Sequence, residues 1–381
     1  MAYQNVCTPR FNINDISYAK SIGIDITDLE GAESNSDTPY TPVRFGLDNH
    51  YKLVDDDPTN SIAFTPETQN ECWVRYKTFL RNTSLECNYV AYLNHNIATS
   101  RIYARHSYRT ITGGWNNGHH LESIVNGENG EILNTVNDGS STFAKPENNG
   151  FSIYKITNTS ADGYNKIHDI QFQYSNDDMD DFREFRMGSI FVGRYFDMPV
   201  SPDLDLSMTV EFDGYDTTTT LGGSTLTNIR YTGAPWWRDS EGNKIEPWHV
   251  GASPGTSKRN GRRMWSMKFS YISDKDIFAS NYMSNTYLES GSGSGYDTDD
   301  DLVLDSNDEP TAFYNTLEND DSFVAQVLNK VGNGQRFIFQ PDNTNNNPDQ
   351  FAICQLDQDS LEIKQVAFKT YNISLKIREV W

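Results

Sequence analysis

Polar and apolar side chains alternate with a period of two along one segment of this chain after another, and that constrains the fold more than anything else in it. In RRMWSMKFSYIS, residues 262–273, Met264, Ser266, Lys268 and Ser270 point one way and Trp265, Met267, Phe269 and Tyr271 the other. Successive residues of an extended strand face opposite sides of a sheet, so such a segment has one side for a core and one for water. The pattern recurs from Trp73 to Thr78, Arg101 to Tyr108, Phe151 to Ile156 and Ile167 to Tyr174. Near the end, Ile373, Leu375, Ile377 and Glu379 alternate with Ser374, Lys376, Arg378 and Val380.

Shorter apolar runs add strands of a second kind. Tyr89 to Leu93 reads as a buried strand that ends in the polar turn Asn94-His95-Asn96, and Gly188 to Gly193 reads as a strand bounded by glycines. Phe337 to Phe339 and Phe351 to Cys354 are similar. Many short strands separated by Gly, Asn and Asp turns predict a mainly β protein: an antiparallel β-sandwich of jelly-roll type plus a second β-rich module. Two short helices interrupt the pattern. Residues 14–23 place Ile16, Ala19 and Ile22 on one face, with Asn14 as cap and Gly23 as stop. Residues 321–332 carry the stripe Phe323, Val324, Val327, Leu328 and Val331, with Gly332 as stop. The expected division is an N-terminal helix and extended arm at 1–60, the jelly-roll sandwich at 61–215 and the β-rich module at 216–381. Residues 24–60 are polar and longer than an ordinary connection, which suits an arm that orders against a neighbouring subunit.

Length and composition set the wider bounds. A chain of 381 residues has room for two domains. Aromatics are 13% of it, with 21 Tyr and 20 Phe, far from the aromatic-poor composition of a disordered chain. The 53 acids outnumber the 31 bases, giving a net charge of −22, which opposes binding to nucleic acid or an anionic membrane. A partner with a basic face, or plain solvation, suits that charge. Cys7, Cys72, Cys87 and Cys354 show no CxxC spacing, so the expectation is buried thiols rather than a zinc site; Cys72 and Cys87 could pair only on neighbouring strands. MAYQNVCTPRF has no signal-peptide pattern, and no apolar run approaches the roughly 18 residues of a membrane span.

Most motifs for catalysis are missing from the sequence. HExxH, GxxxxGK[ST] and a helix-opening GxGxxG do not occur, and GxSxG is matched once, by Gly251-Ala252-Ser253-Pro254-Gly255 in a Pro- and Gly-rich stretch. Gly291 to Gly295 precedes acids that would repel a phosphate, and reads as a loop. His119-His120 read as a loop tip. Asp177-Asp178-Met179-Asp180-Asp181, and Asp297 with Asp299-Asp300-Asp301, lack the central Gly and closing Glu of a calcium loop, so they read as solvated acids. The expectation is no catalytic residue, no metal and no cofactor. The candidates for a ligand or protein contact are Trp115, Trp236, Trp237 and Trp248, which sit in Gly-, Pro- and Asn-rich stretches. Exposed Trp anchors interfaces or stacks on sugars; burial beneath a loop is the competing expectation.

Two sets of residues resemble known proteins. NYVAYLNHNIATSRIYARHS at 88–107, with Trp73 upstream and GSIFVGRYFDMP at 188–199 downstream, resembles discoidin-like (galactose-binding-like) jelly rolls found in phage proteins. That resemblance covers about residues 60–215, marks Asn94, His95 and Asn96 as a fold-motif turn, and implies a sandwich without naming a ligand. RNGRRMWSMKFSYISDKDIF at 259–278, RFIFQPDNTNNNPDQFAICQLD at 336–357, YNISLKIREVW at 371–381 and TPRFNINDISYAKSIG at 8–23 together look like virion proteins of environmental, often marine, tailed bacteriophages. This implies a tail-tip or distal-tail component, synthesised in a host cytoplasm and built into a symmetric assembly with copies of itself and other tail proteins. The alternatives are a glycan-binding adhesin or head decoration protein, with a host-surface glycan as partner, and a polysaccharide-degrading enzyme.

Overall fold

A computed structural model of the chain describes residues 6–23, 50–64, 72–77, 79–80, 83–84, 87–100, 102–110, 115–116, 121–132, 142–156, 166–174, 184–212, 215–229, 233–238, 244–251, 261–278, 321–332 and 334–381. The fold is mainly β, with antiparallel sheets and a few short helices, as the alternation predicts. An eight-stranded sheet runs in the order Tyr195–Asp197, Arg10–Ile13, Phe337–Gln340, Ala352–Leu356, Thr370–Glu379, Arg262–Ser273 and Ser207–Glu211, with Ile363–Ala367 added to Thr370–Glu379. A four-stranded sheet orders Ser189–Gly193, Tyr89–His95, Gly150–Ile156 and Leu121–Val125. A six-stranded sheet orders Glu128–Ile132, Thr142–Lys145, Ile102–Thr110, Lys166–Tyr174 and Cys72–Lys77, with Trp115–Asn116 on Ile102–Thr110.

The four-stranded sheet is the middle of a stack. Val90, Tyr92, Tyr154, Ile190 and Val192 pack with Ala104 and Phe172 of the six-stranded sheet. On the opposite face Tyr89, Ala91, Leu93, Phe151, Ile153 and Phe191 pack with Ile338, Phe351 and Ile353 at the eight-stranded sheet. This explains why Tyr89–His95 is buried at every position and reads as a continuous apolar run. Phe337 and Phe339 turn the other way, toward Trp265, Met267, Phe269 and the helical segment around Phe323, Val327 and Val331. The Phe-Ile-Phe strand thus feeds two cores with alternate residues.

Several expectations are corrected. Arg10–Ile13 lies inside the eight-stranded sheet, between Tyr195–Asp197 and Phe337–Gln340. That sheet therefore draws strands from all three segments divided at 60 and 215. Residues 50–60 are not a free arm: Leu53 and Val54 lie in the core beside Ile16 and Ala19. The rest of the expected arm, 24–49, lies outside the described residues. Ile22 is exposed rather than on the buried face of the first helix, Asp15–Ser21, while Gly23 ends that helix with φ +85°. Asn14 sits at the N-cap but does not cap with its side chain; its amide donates instead to Asp56 Oδ1 at 2.6 Å. In the late helix Gly332 stays right-handed, and Gly334 supplies the left-handed turn at φ +84°.

The alternation of Arg262–Ser273 holds to Phe269 and then slips. A bulge falls between Phe269 and Ile272; Tyr271 takes φ +60° and is 78% exposed, and Ile272 fills the core place instead. An extra residue in a strand reverses every side chain beyond it. Gly188 and Gly193 bound their strand for a steric reason. A Cβ at 193 would overlap the Ile13 carbonyl oxygen, and one at 188 the Pro58 carbonyl oxygen.

Candidate functional site

The Asn94-His95-Asn96 turn is where most of the sequence-predicted site residues converge. Asn94 holds φ +54°, a left-handed value that Asn tolerates. Its amide donates to the Pro58 carbonyl at 2.6 Å, and its Oδ1 accepts the Arg238 backbone N–H at 3.1 Å. Asn96 donates to the Glu184 carbonyl at 2.8 Å and accepts the Arg186 N–H at 2.7 Å. One turn so ties together residues near 58, 185 and 238, each a different part of the chain. The side chains satisfy backbone groups that would otherwise be buried without partners.

His95 is buried, and its ring links the turn to Ser152 at 2.5 Å. Burial pushes its pKa down from 6.5 to about 3, so the imidazole is neutral at ordinary pH. Nδ1 accepts the Ile97 N–H at 3.3 Å, which leaves the ring proton on Nε2. Nε2–H then donates to Ser152 Oγ. A general base would instead accept the hydroxyl proton, so this pair is arranged as a structural link rather than as nucleophile and base.

Trp237 lies beside this turn, next to Arg238, whose N–H reaches Asn94. Trp237 starts the short strand Trp237–Arg238, which pairs with Lys244–Ile245. Trp237 and Trp248 are only 3% and 6% exposed, with ring centroids 5.8 Å apart. Trp248 also meets Phe151 edge-on at 4.9 Å and stacks on Phe351 at 6.2 Å. Both rings therefore serve as core between the middle sheet and the eight-stranded sheet, rather than standing free for a ligand. Trp248 holds φ +65°, uncommon for a bulky residue. Trp236 is half-buried. Trp115 pairs with Arg109 through its backbone, and its side chain lies outside the described residues. Around Trp248 a cleft is lined by Ala234, Pro235, Pro247, Glu379 and Trp381. It admits little more than a water or two, far below the roughly 300–1,000 Å³ of a small-molecule site.

Two buried ion pairs complete this region and the seam beneath it. Arg263 Nε and Nη2 bind both oxygens of Glu379, at 3.0 and 2.9 Å, and the guanidinium also donates to the carbonyls of Asp349 and Phe351. Arg262 lies over the Trp381 ring at 4.8 Å. Lys330 Nζ reaches Asp15 at 2.8 Å in a fully enclosed setting. Burial raises the Asp15 pKa, with Lys330 opposing the shift. Asp56 is pushed up to about 6 by burial, against hydrogen bonds from Ser17 and Asn14. The Arg263–Glu379 pair had a sequence signal: opposite charges stand in the apolar phases of two strands, beside Trp265 and Ile377. Trp381 in the cleft had none.

Among the described residues no group of three His, Cys, Asp or Glu side chains could hold a metal ion, and no helix is long and apolar enough to cross a membrane. Both acid clusters, the Gly291–Gly295 loop and His119-His120 lie outside the described residues. Cys87 and Cys354 are buried and Cys7 is exposed. No family model, curated protein or solved structure matches the chain.

Proposed function

We propose that this chain is a structural subunit of a bacteriophage virion, at the tail tip or distal tail, that works by forming a symmetric assembly rather than by catalysis. Phage origin rests on the sequence resemblance at 8–23, 259–278, 336–357 and 371–381. One structural observation supports an assembly role above the others. The hairpin Tyr215–Thr219 and Thr225–Ile229 pairs with itself, and from 216 to 228 its described side chains face solvent on both sides, apart from the half-buried Thr220. Leu226 and the turn residue Leu221 point outward. A lone two-stranded hairpin is marginal in water, and clustered outward apolar groups mark a contact surface. The hairpin reads as an arm that another protein covers.

The adhesin alternative loses Trp237 and Trp248 as stacking rings, because both are core. The test is cryo-electron microscopy of purified particles with this chain tagged. Copies in a symmetric array on the tail are the expected result. Absence from the virion would overturn the reading. A chain lacking 215–229 is expected to fold and to be missing from assembled particles.

A further inference from the structure

We propose that strand Ser207–Glu211 pairs with the same strand of a second copy, antiparallel about a two-fold axis through Thr209, so that two eight-stranded sheets join into one. The inference rests on the assembly reading and names a surface and partner for it.

Ser207–Glu211 is the terminal strand of its sheet. It pairs with Arg262–Ser273 on one side, and among the described residues no strand pairs with its other edge. A row of open backbone donors and acceptors is a template for another strand. The apolar groups lie at the same place. Of the ten large hydrophobic side chains exposed on the described surface, six fall between 204 and 226: Leu204, Met208, Val210, Phe212, Leu221 and Leu226.

Charge selects the partner. A chain of net charge −22 resists meeting its own copy unless the contact is locally neutral. Here it is. Glu211, the one acid of the strand, is held by Arg378 Nη2 at 2.5 Å. Asp203, just ahead, receives the Ser270 hydroxyl at 2.7 Å and lies 3.9 Å from Lys268. Asp205 falls outside the paired segment. A basic partner would find the strand's acid already engaged, whereas a second copy meets no repulsion on the strand itself.

Register agrees. With the axis perpendicular to the sheet, side chains keep their faces, and pairing all five residues sets Met208 against Val210 of the copy, Thr209 against Thr209, and Ser207 against Glu211. Apolar meets apolar, and no acid faces its own copy. An isologous contact of this kind is self-complementary by construction. It would join two rings back to back, or pair subunits within a larger array.

Sedimentation equilibrium of the full chain tests this, with a dimer expected. Replacing Met208→Lys together with Val210→Lys sets like charges opposite and should give a monomer with unchanged near-ultraviolet circular dichroism. Met208→Lys with Val210→Glu sets opposite charges face to face across the axis and should restore the dimer. Val366→Lys with Phe368→Lys, at another exposed apolar site, should leave it intact. A wild-type chain that is monomeric at every soluble concentration overturns the contact, as does a dimer that survives the double lysine. A Lys/Glu pair as monomeric as the Lys/Lys pair overturns the register. Particle imaging reports separately on the virion reading: a dimeric chain absent from particles refutes that reading and leaves the strand contact standing.

Discussion

Removing Glu379 should destabilise the protein severely, because it strands a buried arginine. Arg263 and Glu379 have side chains 5% and 7% exposed, so the guanidinium makes its two carboxylate bonds largely shielded from solvent. The Glu379→Gln substitution keeps the shape but leaves the guanidinium charge uncompensated. Breaking one partner of such a pair costs about 3–5 kcal/mol. Replacing both, with Arg263→Met and Glu379→Leu, removes the charge but orphans the carbonyls of Asp349 and Phe351, which Arg263 also serves. Each lost partner costs about 1–3 kcal/mol, and the Arg263 backbone N–H, which donates to Glu379 at 3.0 Å, loses its acceptor too. The double variant should therefore lose about as much stability as Glu379→Gln, but without an uncompensated buried charge. Arg263→Met alone should lose stability as pH rises, since a lone buried carboxylate binds a proton more readily than an unfolded one. The assay is urea unfolding followed by tryptophan fluorescence, with Trp265 only 5.2 Å from the guanidinium as a local reporter. A Glu379→Gln variant within about 1 kcal/mol of wild type, the ceiling for an ordinary exposed pair, would refute the reasoning.

Two pH effects of opposite sign should appear. His95 has a folded pKa of about 3 against 6.5 unfolded, so its contribution is full above pH 6.5 and is lost as pH falls toward 3, by about 1.4 kcal/mol per unit. The stability difference between wild type and His95→Gln should shrink accordingly on acidification; a difference independent of pH would show that the ring titrates normally. Asp56, raised from 3.8 to about 6, behaves in reverse: stability is greatest below 3.8 and falls as pH rises to 6, by about 3 kcal/mol in all. Asp56→Asn should flatten that slope in denaturant titrations between pH 4 and 7. Trp237→Ala should cost about 3–5 kcal/mol as a core truncation, and an unfolding midpoint equal to wild type would return Trp237 to the ligand candidates. Gly193→Ala should reduce soluble yield sharply, because its methyl group would overlap the Ile13 carbonyl oxygen; normal yield and midpoint would mean the strands separate easily there.

Much of the candidate site was legible as pattern but not as role. Asn94-His95-Asn96 stood out as a polar turn after a buried strand, and the structure makes it the knot that binds Pro58, Arg186 and Arg238. Trp237 and Trp248 stood out by type and by their loop-like surroundings. Those surroundings left exposure and burial open; the structure packs Trp248 on Phe151 and Phe351, each about 100 positions away in sequence, and Trp237 on Trp248. Asn14 looked like a helix cap because a helix follows it; its amide goes to Asp56, which no local pattern connects to it.

Periodicity is a local property, and it was enough to determine that this chain is built from antiparallel strands, which side of each is apolar, and roughly where each ends. The phases of Phe337 to Phe339 and of Ile373 to Glu379 could be read directly. What lies across from an apolar side is not local. Whether a strand meets water or a second core depends on contacts between residues as far apart as Phe11 and Phe339, which neighbour each other in one sheet. Tertiary structure alone therefore decided that the four-stranded sheet is covered on both faces and that Arg10–Ile13 joins a sheet of distant strands. It also decided that Tyr271 turns outward, because a bulge reverses the faces that alternation assigns.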